Sequence, residues 1–233
     1  MPFLAFALRG GGPALIPDNA ILAKVVQRRE CGKIEALLPA ARAHIPGMPR
    51  MSFIRTVALI GMMGAGKTKV GRLLAQRQGL KFIDADTEIQ EAAGCSIEDI
   101  FEMQGEAVFR EGERKVIARL LNGPVHVLAT GGGAFQNAST RAVIAQRAVS
   151  VWLKADLDVL WERVSRRANR PMLKTADPRR TLADLIEKRY PVYALADLTV
   201  VSEGGPVEET VQRVEDALSG AGYFAGKGAE AGE

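Results

Sequence analysis

Histidine and cysteine are scarce in this sequence. Its 233 residues contain two cysteines, Cys31 and Cys95, and two histidines, His44 and His126. The cysteines lie far apart and lack zinc-ligand spacing, which argues against a disulfide framework and favours a reducing compartment. So few histidines also argue against a histidine-based metal site or catalytic triad. The cysteine usage leads us to expect a cytoplasmic protein. No apolar run approaches the roughly 18 residues of a membrane-spanning helix.

An excess of positive charge is missing from most of the chain. Residues 1–50 carry seven Lys/Arg against three Asp/Glu, which accounts for the net charge of +4, and residues 51–233 carry 24 of each. The main body therefore lacks the basic bias of a nucleic-acid-binding or membrane-binding protein. The first fifty residues contain six prolines and no serine or threonine, so we expect a poorly ordered extension. Met48 and Met51 are candidate starts of the natural protein.

From residue 51 onward, short β-branched or apolar runs alternate with helical patterns. Strands are predicted at 55–60, 81–84, 125–130, 150–154 and 198–201. Helices are predicted near 66–78, 86–94, 96–121, 137–146, 156–167, 179–195 and 206–219. Such alternation predicts an α/β domain over 51–220, in which a parallel five-stranded sheet carries helices on both faces. Ligands bind such sheets at the edge where the strands end. We expect residues 221–233 to form a flexible tail.

The glycine-rich stretch "GMMGAGKT" (61–68) follows the first predicted strand and opens the first helix. It fits the phosphate-loop pattern G-x-x-x-x-G-K-[ST], in the strand–loop–helix setting that the motif requires. Backbone N–H groups and a helix N-terminus suit phosphate oxygens. Lys67 would reach the β- and γ-phosphates as a catalytic residue, and the Thr68 hydroxyl would ligate Mg²⁺ directly. We expect ATP to bind Gly64, Ala65, Gly66, Lys67, Thr68 and Lys69.

The phosphate loop alone does not distinguish GTPases, motor ATPases and small-molecule kinases. The N-K-x-D motif with which GTPases read guanine is absent, as is the L-S-G-G-Q motif of transporters. The region after residue 51 is also small, which favours a compact kinase.

Two aspartates, Asp84 and Asp86, follow the second predicted strand at the ligand edge of the sheet. Alternation along a strand would point both side chains the same way. One carboxylate can support Mg²⁺ through water, while the other accepts a hydrogen bond from an acceptor hydroxyl. The alternative is that Asp86 only caps the helix that begins at Thr87.

Seven blocks in sequence order resemble the shikimate kinase family. They are "GMMGAGKTKVGRLLA", "D-A-D" (84–86), "SIEDIF" (96–101), "GEAVFREGE" (105–113), "TGGGAF" (130–135), "RPML" (170–173) and "KRYPVYALAD" (188–197). Together they cover essentially all of residues 55–219. The resemblance implies the nucleoside monophosphate kinase fold with a mobile lid. It also implies transfer of the ATP γ-phosphoryl group to the 3-hydroxyl of shikimate, on the route to chorismate and the aromatic amino acids, with Mg²⁺. We expect a monomer.

The resemblance also assigns roles to residues. Asp86 would hold the shikimate hydroxyls, and Asp84 would act near the metal through water. Arg110 and Arg189 would bind the substrate carboxylate, for which the planar guanidinium is well shaped. The alternative for Arg110 is an ion pair with Glu113 three residues on, and both can hold if Glu113 positions Arg110. Gly131, Gly132 and Gly133 would line the shikimate pocket, with Gly132 in direct contact.

The segment "RRANRPMLKTADPRR" (166–180) is rich in arginine and has little core material, so we expect it to form the mobile lid. By resemblance, Arg170 would close over the ATP phosphates as a catalytic and ATP-binding residue, in the manner of an arginine finger. The alternative is a solvated basic loop.

Two other functions remain open from the sequence. A gluconate kinase or nucleotide kinase would share the phosphate loop, although a gluconate kinase should show G-D-x-L-H-P where this chain has "DADTEI". A non-catalytic nucleotide-binding module should have lost Lys67, Asp86 or the arginines, and all of them are present.

Overall fold

The computed structural model describes residues 53–166, 173 and 175–224. Within them, five parallel strands form one sheet in the order β2-β3-β1-β4-β5. The strands are β1 (Thr56–Ile60), β2 (Lys81–Asp84), β3 (His126–Ala129), β4 (Ala148–Lys154) and β5 (Leu198–Val201). Strands β1, β3 and β4 are almost entirely buried, as expected of a parallel sheet covered on both faces. The predicted α/β fold is confirmed.

Seven α-helices and one 3₁₀ turn connect or follow the strands in the described residues. The helices are α1 (Lys67–Gln78), α2 (Ala85–Ala93), α3 (Ile97–Leu121), α4 (Ala138–Arg147), α5 (Leu157–Ser165), α6 (Pro178–Tyr193) and α7 (Val207–Gly220), and the 3₁₀ turn is Ala134–Gln136. Every one of these helices is too short or too polar to cross a bilayer.

The strand order places a crevice at the end of β1. The chain leaves β1 toward β2 on one side of the sheet, returns to β3, and then crosses β1 to reach β4. Open parallel sheets bind ligands where the strand order reverses in this way, beyond the carboxyl ends of the strands. The phosphate loop after β1 and the glycine turn 131–133 after β3 both lie at this position.

The core has two parts. The larger part fills the space between the sheet and its covering helices, and includes Leu59, Leu74, Leu128 and Leu153. A smaller cluster lies between α2 and α3, where Ile89, Ile100, Phe109 and Val116 are buried together. Helices α2 and α3 therefore pack as a unit beside the sheet.

Several details differ from the sequence-based expectations. Helix α3, predicted as one continuous helix, is interrupted at Gly105, which has φ 79° and ψ 170°. Asp84, not Asp86, caps α2, because its side chain accepts a hydrogen bond from the Asp86 N–H. Asp86 lies in the first turn of that helix, so strand alternation does not relate the two aspartates. Strand β4 also begins at Ala148, two residues earlier than predicted.

Some expectations concern residues outside the described ranges. The extension 1–50 lies outside them, and so does most of the expected tail. The expected lid, 166–180, is described only at Arg166, at Leu173 and from Thr175 onward. Helix α6 begins inside that range, at Pro178, with Asp177 as its capping residue.

The two ends of the described domain meet. Phe53 forms an isolated antiparallel bridge with Phe224, and their ring centroids are 4.8 Å apart. The Ile54 N–H also donates to the Tyr223 carbonyl at 3.2 Å. The segment before β1 and the segment after α7 are thereby joined at the sheet edge opposite the crevice.

His126 is buried at the start of β3, also far from the crevice. Its Nδ1 lies 2.8 Å from the Pro124 carbonyl oxygen, which can only accept, so Nδ1 carries the proton. Its Nε2 is buried and has no hydrogen-bond partner among the described residues. Burial lowers the pKa of His126 below its usual 6.5, because protonation would bury a charge and an unpaired N–H.

We expect His126 to destabilise the fold in acid. The unfolded chain takes up a proton as pH falls through about 6.5 while the folded protein resists it, so stability present above this pH is lost below it. His126→Asn keeps a donor for Pro124 and cannot titrate. Between pH 7.5 and 5.5, the free energy of unfolding should fall by up to about 1.4 kcal/mol more in the parent than in the variant. Equal falls in denaturant titrations would contradict this account.

Candidate active site

The phosphate loop wraps its backbone around the start of α1. Gly61 has φ 143°, and a β-carbon there would lie 2.7 Å from the Leu153 carbonyl oxygen, so only glycine fits beside β4. Lys67 begins α1, and its ammonium donates to the carbonyls of Gly61 at 2.8 Å and Met62 at 3.0 Å. The lysine head therefore lies within the turn of the loop, where the helix N-terminus also favours an anion.

Two residues outside the motif, Arg163 and Ser202, hold the phosphate loop through hydrogen bonds to its backbone carbonyls. Arg163 of α5 donates to the Gly64 carbonyl at 3.2 Å and to Ser202 Oγ at 3.1 Å, and it also bonds the Glu203 carbonyl. Ser202 in turn donates to the Ala65 carbonyl at 3.0 Å. Burial lowers the pKa of Arg163. The sequence analysis identified neither residue. Ser202 directly follows a predicted strand at the ligand edge, which could have marked it as a site residue, whereas no sequence pattern marked Arg163.

Thr68 and Asp84 meet beside the loop. Thr68 Oγ1 donates to Asp84 Oδ2 at 3.1 Å, while Asp84 Oδ1 accepts the Asp86 N–H at 3.1 Å. A hydroxyl and a carboxylate are thus held together at the crevice, one from α1 and one from the end of β2. Lys69, the last residue of the predicted ATP-binding stretch, is exposed on α1.

Asp86 lies against the glycine turn, next to a buried glutamate. A β-carbon at Gly131 would be 2.6 Å from Asp86 Oδ1 and 2.8 Å from Glu113 Oε1. Glu113 is only 2% exposed, and its Oε1 has no hydrogen-bond partner within the described part of the chain. Burial raises the pKa of Glu113, with Arg110 pulling it down and Asp86 pushing it up. Two carboxylates therefore face the same small space.

Arg110 is held by the acids on its own helix. Its guanidinium donates to Glu113 Oε2 at 2.7 Å and to Glu106 Oε1 at 3.1 and 3.2 Å. A β-carbon at Gly133 would lie 2.5 Å from both Nη1 and Nη2, so the guanidinium rests directly on the glycine turn. The ion pair with Glu113 is present, and it positions Arg110 at the crevice.

Arg189 approaches the same turn from α6. It is 7% exposed, and its Nη1 donates to the Gly132 carbonyl at 3.3 Å. Tyr193, one turn later, donates its hydroxyl to the same carbonyl. Burial raises the pKa of Tyr193 to about 12, so the hydroxyl remains a donor. The sequence patterns did not predict this contact.

The glycine turn also borders the phosphate loop. A β-carbon at Gly132 would lie 3.7 Å from the Gly61 carbonyl oxygen and 3.8 Å from the Met63 nitrogen. A cationic phosphate site and a pocket with two arginines and two carboxylates are therefore adjacent. Such a pair of sites can hold a phosphorylated donor beside a small anionic acceptor. Arg170, the remaining predicted site residue, lies outside the described residues.

Comparison with known proteins identifies the family. The shikimate kinase family model matches residues 63–219. The chain belongs to the shikimate kinase family. A shikimate kinase of Ruegeria pomeroyi is 57% identical over 166 residues, which are 71% of this chain and 85% of that one. A shikimate kinase of Rhodopseudomonas palustris is 56% identical over 70% of this chain and 81% of that one.

Solved structures of the family have the same fold. The shikimate kinase of Acinetobacter baumannii, in complex with shikimate, is similar with a TM-score of 0.69 and 37% identity, over 72% of this chain and 94% of that one. The Aquifex aeolicus shikimate kinase gives a TM-score of 0.62 and 34% identity, over 71% of this chain and 97% of that one. The family resemblance predicted from the seven sequence blocks is confirmed.

We expect Arg163 to stabilise the phosphate loop. Arg163→Ala removes a half-buried cation that bonds two backbone carbonyls and Ser202, and should lower the free energy of unfolding by about 2 kcal/mol. Arg166 is the control, since it forms an exposed pair with Glu162 near the same helix end. Arg166→Ala should change stability by less than about 0.5 kcal/mol. Equal effects of the two substitutions in denaturant unfolding would show that Arg163 does not brace the loop.

Proposed function

We propose that the chain transfers the γ-phosphoryl group of ATP to the 3-hydroxyl of shikimate, giving shikimate 3-phosphate for aromatic amino acid biosynthesis. Membership of the shikimate kinase family is the basis of this function. The observation that carries it at the residue level is the convergence of Arg110, Arg189 and Asp86 on the glycine turn beside the phosphate loop. Two cations and a carboxylate are what a carboxylic acid with several hydroxyls requires.

The acceptor site is built for a small anion. Shikimate is a rigid carboxylate with three hydroxyls, and planar guanidinium groups bind carboxylates through paired hydrogen bonds. Arg110 approaches the turn at Gly133, and Arg189 approaches it at Gly132. We assign the substrate carboxylate to these two arginines, and the contact with the substrate ring to Gly131, Gly132 and Gly133.

Asp86 is assigned to the acceptor hydroxyls. Its carboxylate lies against Gly131, where it can accept hydrogen bonds from hydroxyl groups. It orients the 3-hydroxyl toward the γ-phosphate and takes the proton late, because phosphoryl transfer through a loose transition state needs little help from a base. Glu113 keeps the Arg110 guanidinium in place through their ion pair.

The donor site is assigned to the phosphate loop. Residues from Gly64 to Lys69 surround the ATP phosphates with backbone N–H groups, and Lys67 neutralises charge on the β- and γ-phosphates. We assign to Arg170 the role of an arginine finger supplied by the same chain, which neutralises charge on the phosphoryl group during transfer. Catalysis then consists mostly of positioning and charge neutralisation.

The residues present fit Mg²⁺ bound together with ATP. The described residues contain no cluster of three or more His, Cys, Asp or Glu side chains that could hold a metal by themselves. Mg²⁺ in kinases, however, takes one or two oxygen ligands from the protein and the rest from phosphates and water. Thr68 Oγ1 and Asp84 Oδ2 lie 3.1 Å apart and would supply such oxygens, Thr68 as a direct ligand and Asp84 through water. When bound, the ion neutralises charge on the phosphates.

The function is tested by measuring ADP release with shikimate, gluconate and AMP side by side. Shikimate should be the substrate that drives turnover, and shikimate 3-phosphate should form in equal amount. Lys67→Ala, purified in parallel, reports contaminating kinases. Turnover with gluconate or AMP and none with shikimate would overturn the proposal.

We expect Asp86→Asn to reduce kcat severely while ATP binding is kept. The amide presents a donor where the substrate hydroxyl needs an acceptor, whereas the phosphate loop is untouched. Turnover and ATP titration of the same preparation separate the two effects. Activity within a few-fold of the parent would leave Asp86 without a catalytic role.

We expect Arg110→Ala and Arg189→Ala to weaken shikimate binding by roughly 2–5 kcal/mol each, as for the loss of one partner from a desolvated charge pair. ATP binding should change far less, because the ATP phosphates are assigned to the phosphate loop and not to these arginines. Calorimetric titration with each substrate gives both affinities. Equal losses for ATP and shikimate would mean that these arginines support the structure or the nucleotide.

A further inference from the structure

Helix α3 contains a backbone conformation that an ordinary residue cannot adopt. Gly105 has φ 79° and ψ 170° between two helical segments. This region of backbone space is essentially restricted to glycine, and such outliers concentrate where a site depends on them. A β-carbon at Gly105 would meet nothing within 4 Å. The glycine is therefore not needed to make room, and the backbone conformation alone distinguishes it.

The interruption brings two rings together. Phe101 and Phe109 are eight residues apart, which in a straight helix separates them by about 12 Å along the axis. Their ring centroids are nevertheless only 4.6 Å apart. The bend at Gly105 therefore folds the first part of α3 back toward the second.

The two rings lie against the Arg110 guanidinium. The guanidinium carbon is 5.0 Å from the centroid of Phe109 and 6.0 Å from that of Phe101, within the range of cation–π contact. Glu106 and Glu113 hold the same group from the second part of the helix. Phe101 lies in the part of α3 before the bend and contacts Arg110 from there. Without the bend, one aromatic wall of the Arg110 site would move away.

We propose that Gly105 is a positioning residue for the acceptor: its backbone conformation folds Phe101 onto Phe109 and thereby fixes Arg110 against Gly133 for the carboxylate of the substrate. The inference rests on the proposed function, in which Arg110 binds that carboxylate. Gly105 acts through Phe101 and Arg110 and touches no substrate itself.

The test compares Gly105→Ala with two matched controls. Gly112→Ala is the same change in the same helix, also with open space around the β-carbon but without a positive φ. Gly79→Ala introduces a strained φ of 64° at the far end of α1, again in open space. The first control reports the added methyl group, and the second reports backbone strain remote from Arg110.

Gly105→Ala should raise KM for shikimate at least about tenfold, because small displacements of a binding group have large effects. KM for ATP should stay within about twofold of the parent, since the ATP phosphates are assigned to the phosphate loop and not to α3. Neither control should raise KM for shikimate, although Gly79→Ala should lower the melting temperature through strain. If Gly105→Ala behaves like Gly112→Ala, or raises both KM values equally, the proposal is wrong.

Phe101→Leu keeps the test open if Gly105→Ala does not fold. It removes the ring and keeps an apolar side chain, so it should also raise KM for shikimate selectively, and an unchanged KM would overturn the proposal. Where both variants fold, the double variant should show less than the sum of the two effects, because both act on one contact. Arg110→Ala distinguishes a failure of this inference from a failure of the proposed function. If Arg110→Ala leaves KM for shikimate unchanged, the proposed function is contradicted. If Arg110→Ala raises KM for shikimate and Gly105→Ala does not, this inference alone is contradicted.

Discussion

Three charged side chains from three helices can meet at the crevice because the turn after β3 has no side chains of its own. A β-carbon at Gly131 would be 2.6 Å from Asp86, and one at Gly133 would be 2.5 Å from Arg110. Both distances are too short for any other residue unless the charged groups move. The absence of side chains on this turn therefore determines how closely the Asp86 carboxylate and the Arg110 guanidinium approach the backbone. The geometry of the pocket depends on this close approach.

The electrostatic balance of the pocket depends on Glu113. A buried carboxylate is costly unless it is paired, and Arg110 supplies the pair on one oxygen while the other oxygen faces Gly131. With Asp86 nearby, the unliganded pocket holds two acids and two arginines at close range. The acids thus lie beside the arginines whose charge they oppose. In the proposed function, the substrate hydroxyls donate to Asp86 and the substrate carboxylate binds the two arginines.

Residue patterns in the sequence pointed to parts of the site that follow strands, and the family resemblance added Arg110 and Arg189, which lie within helices. Asp84 ends β2 and Gly131 lies two residues after β3, while Lys67 and Thr68 follow β1 through the phosphate loop. The parallel topology brings these segments together wherever the helices lie. Arg163 and Tyr193 project from the middle or end of a helix toward backbone carbonyls. No local pattern distinguishes such a residue from a surface arginine or a core tyrosine. Gly105 was missed for a related reason, since a single glycine within a helical pattern indicates lower helix propensity but not the direction of a bend.

The contact between Phe53 and Phe224 has a topological consequence. The two ends of the described domain therefore lie close together. Domains with adjacent ends tolerate circular permutation, in which the old ends are joined and new ends are opened at an exposed turn. The junction also lies across the sheet from the crevice, so any sequence attached at either end joins the domain on the side away from the substrates. The catalytic edge and the points of attachment are thus separated by the full length of the strands.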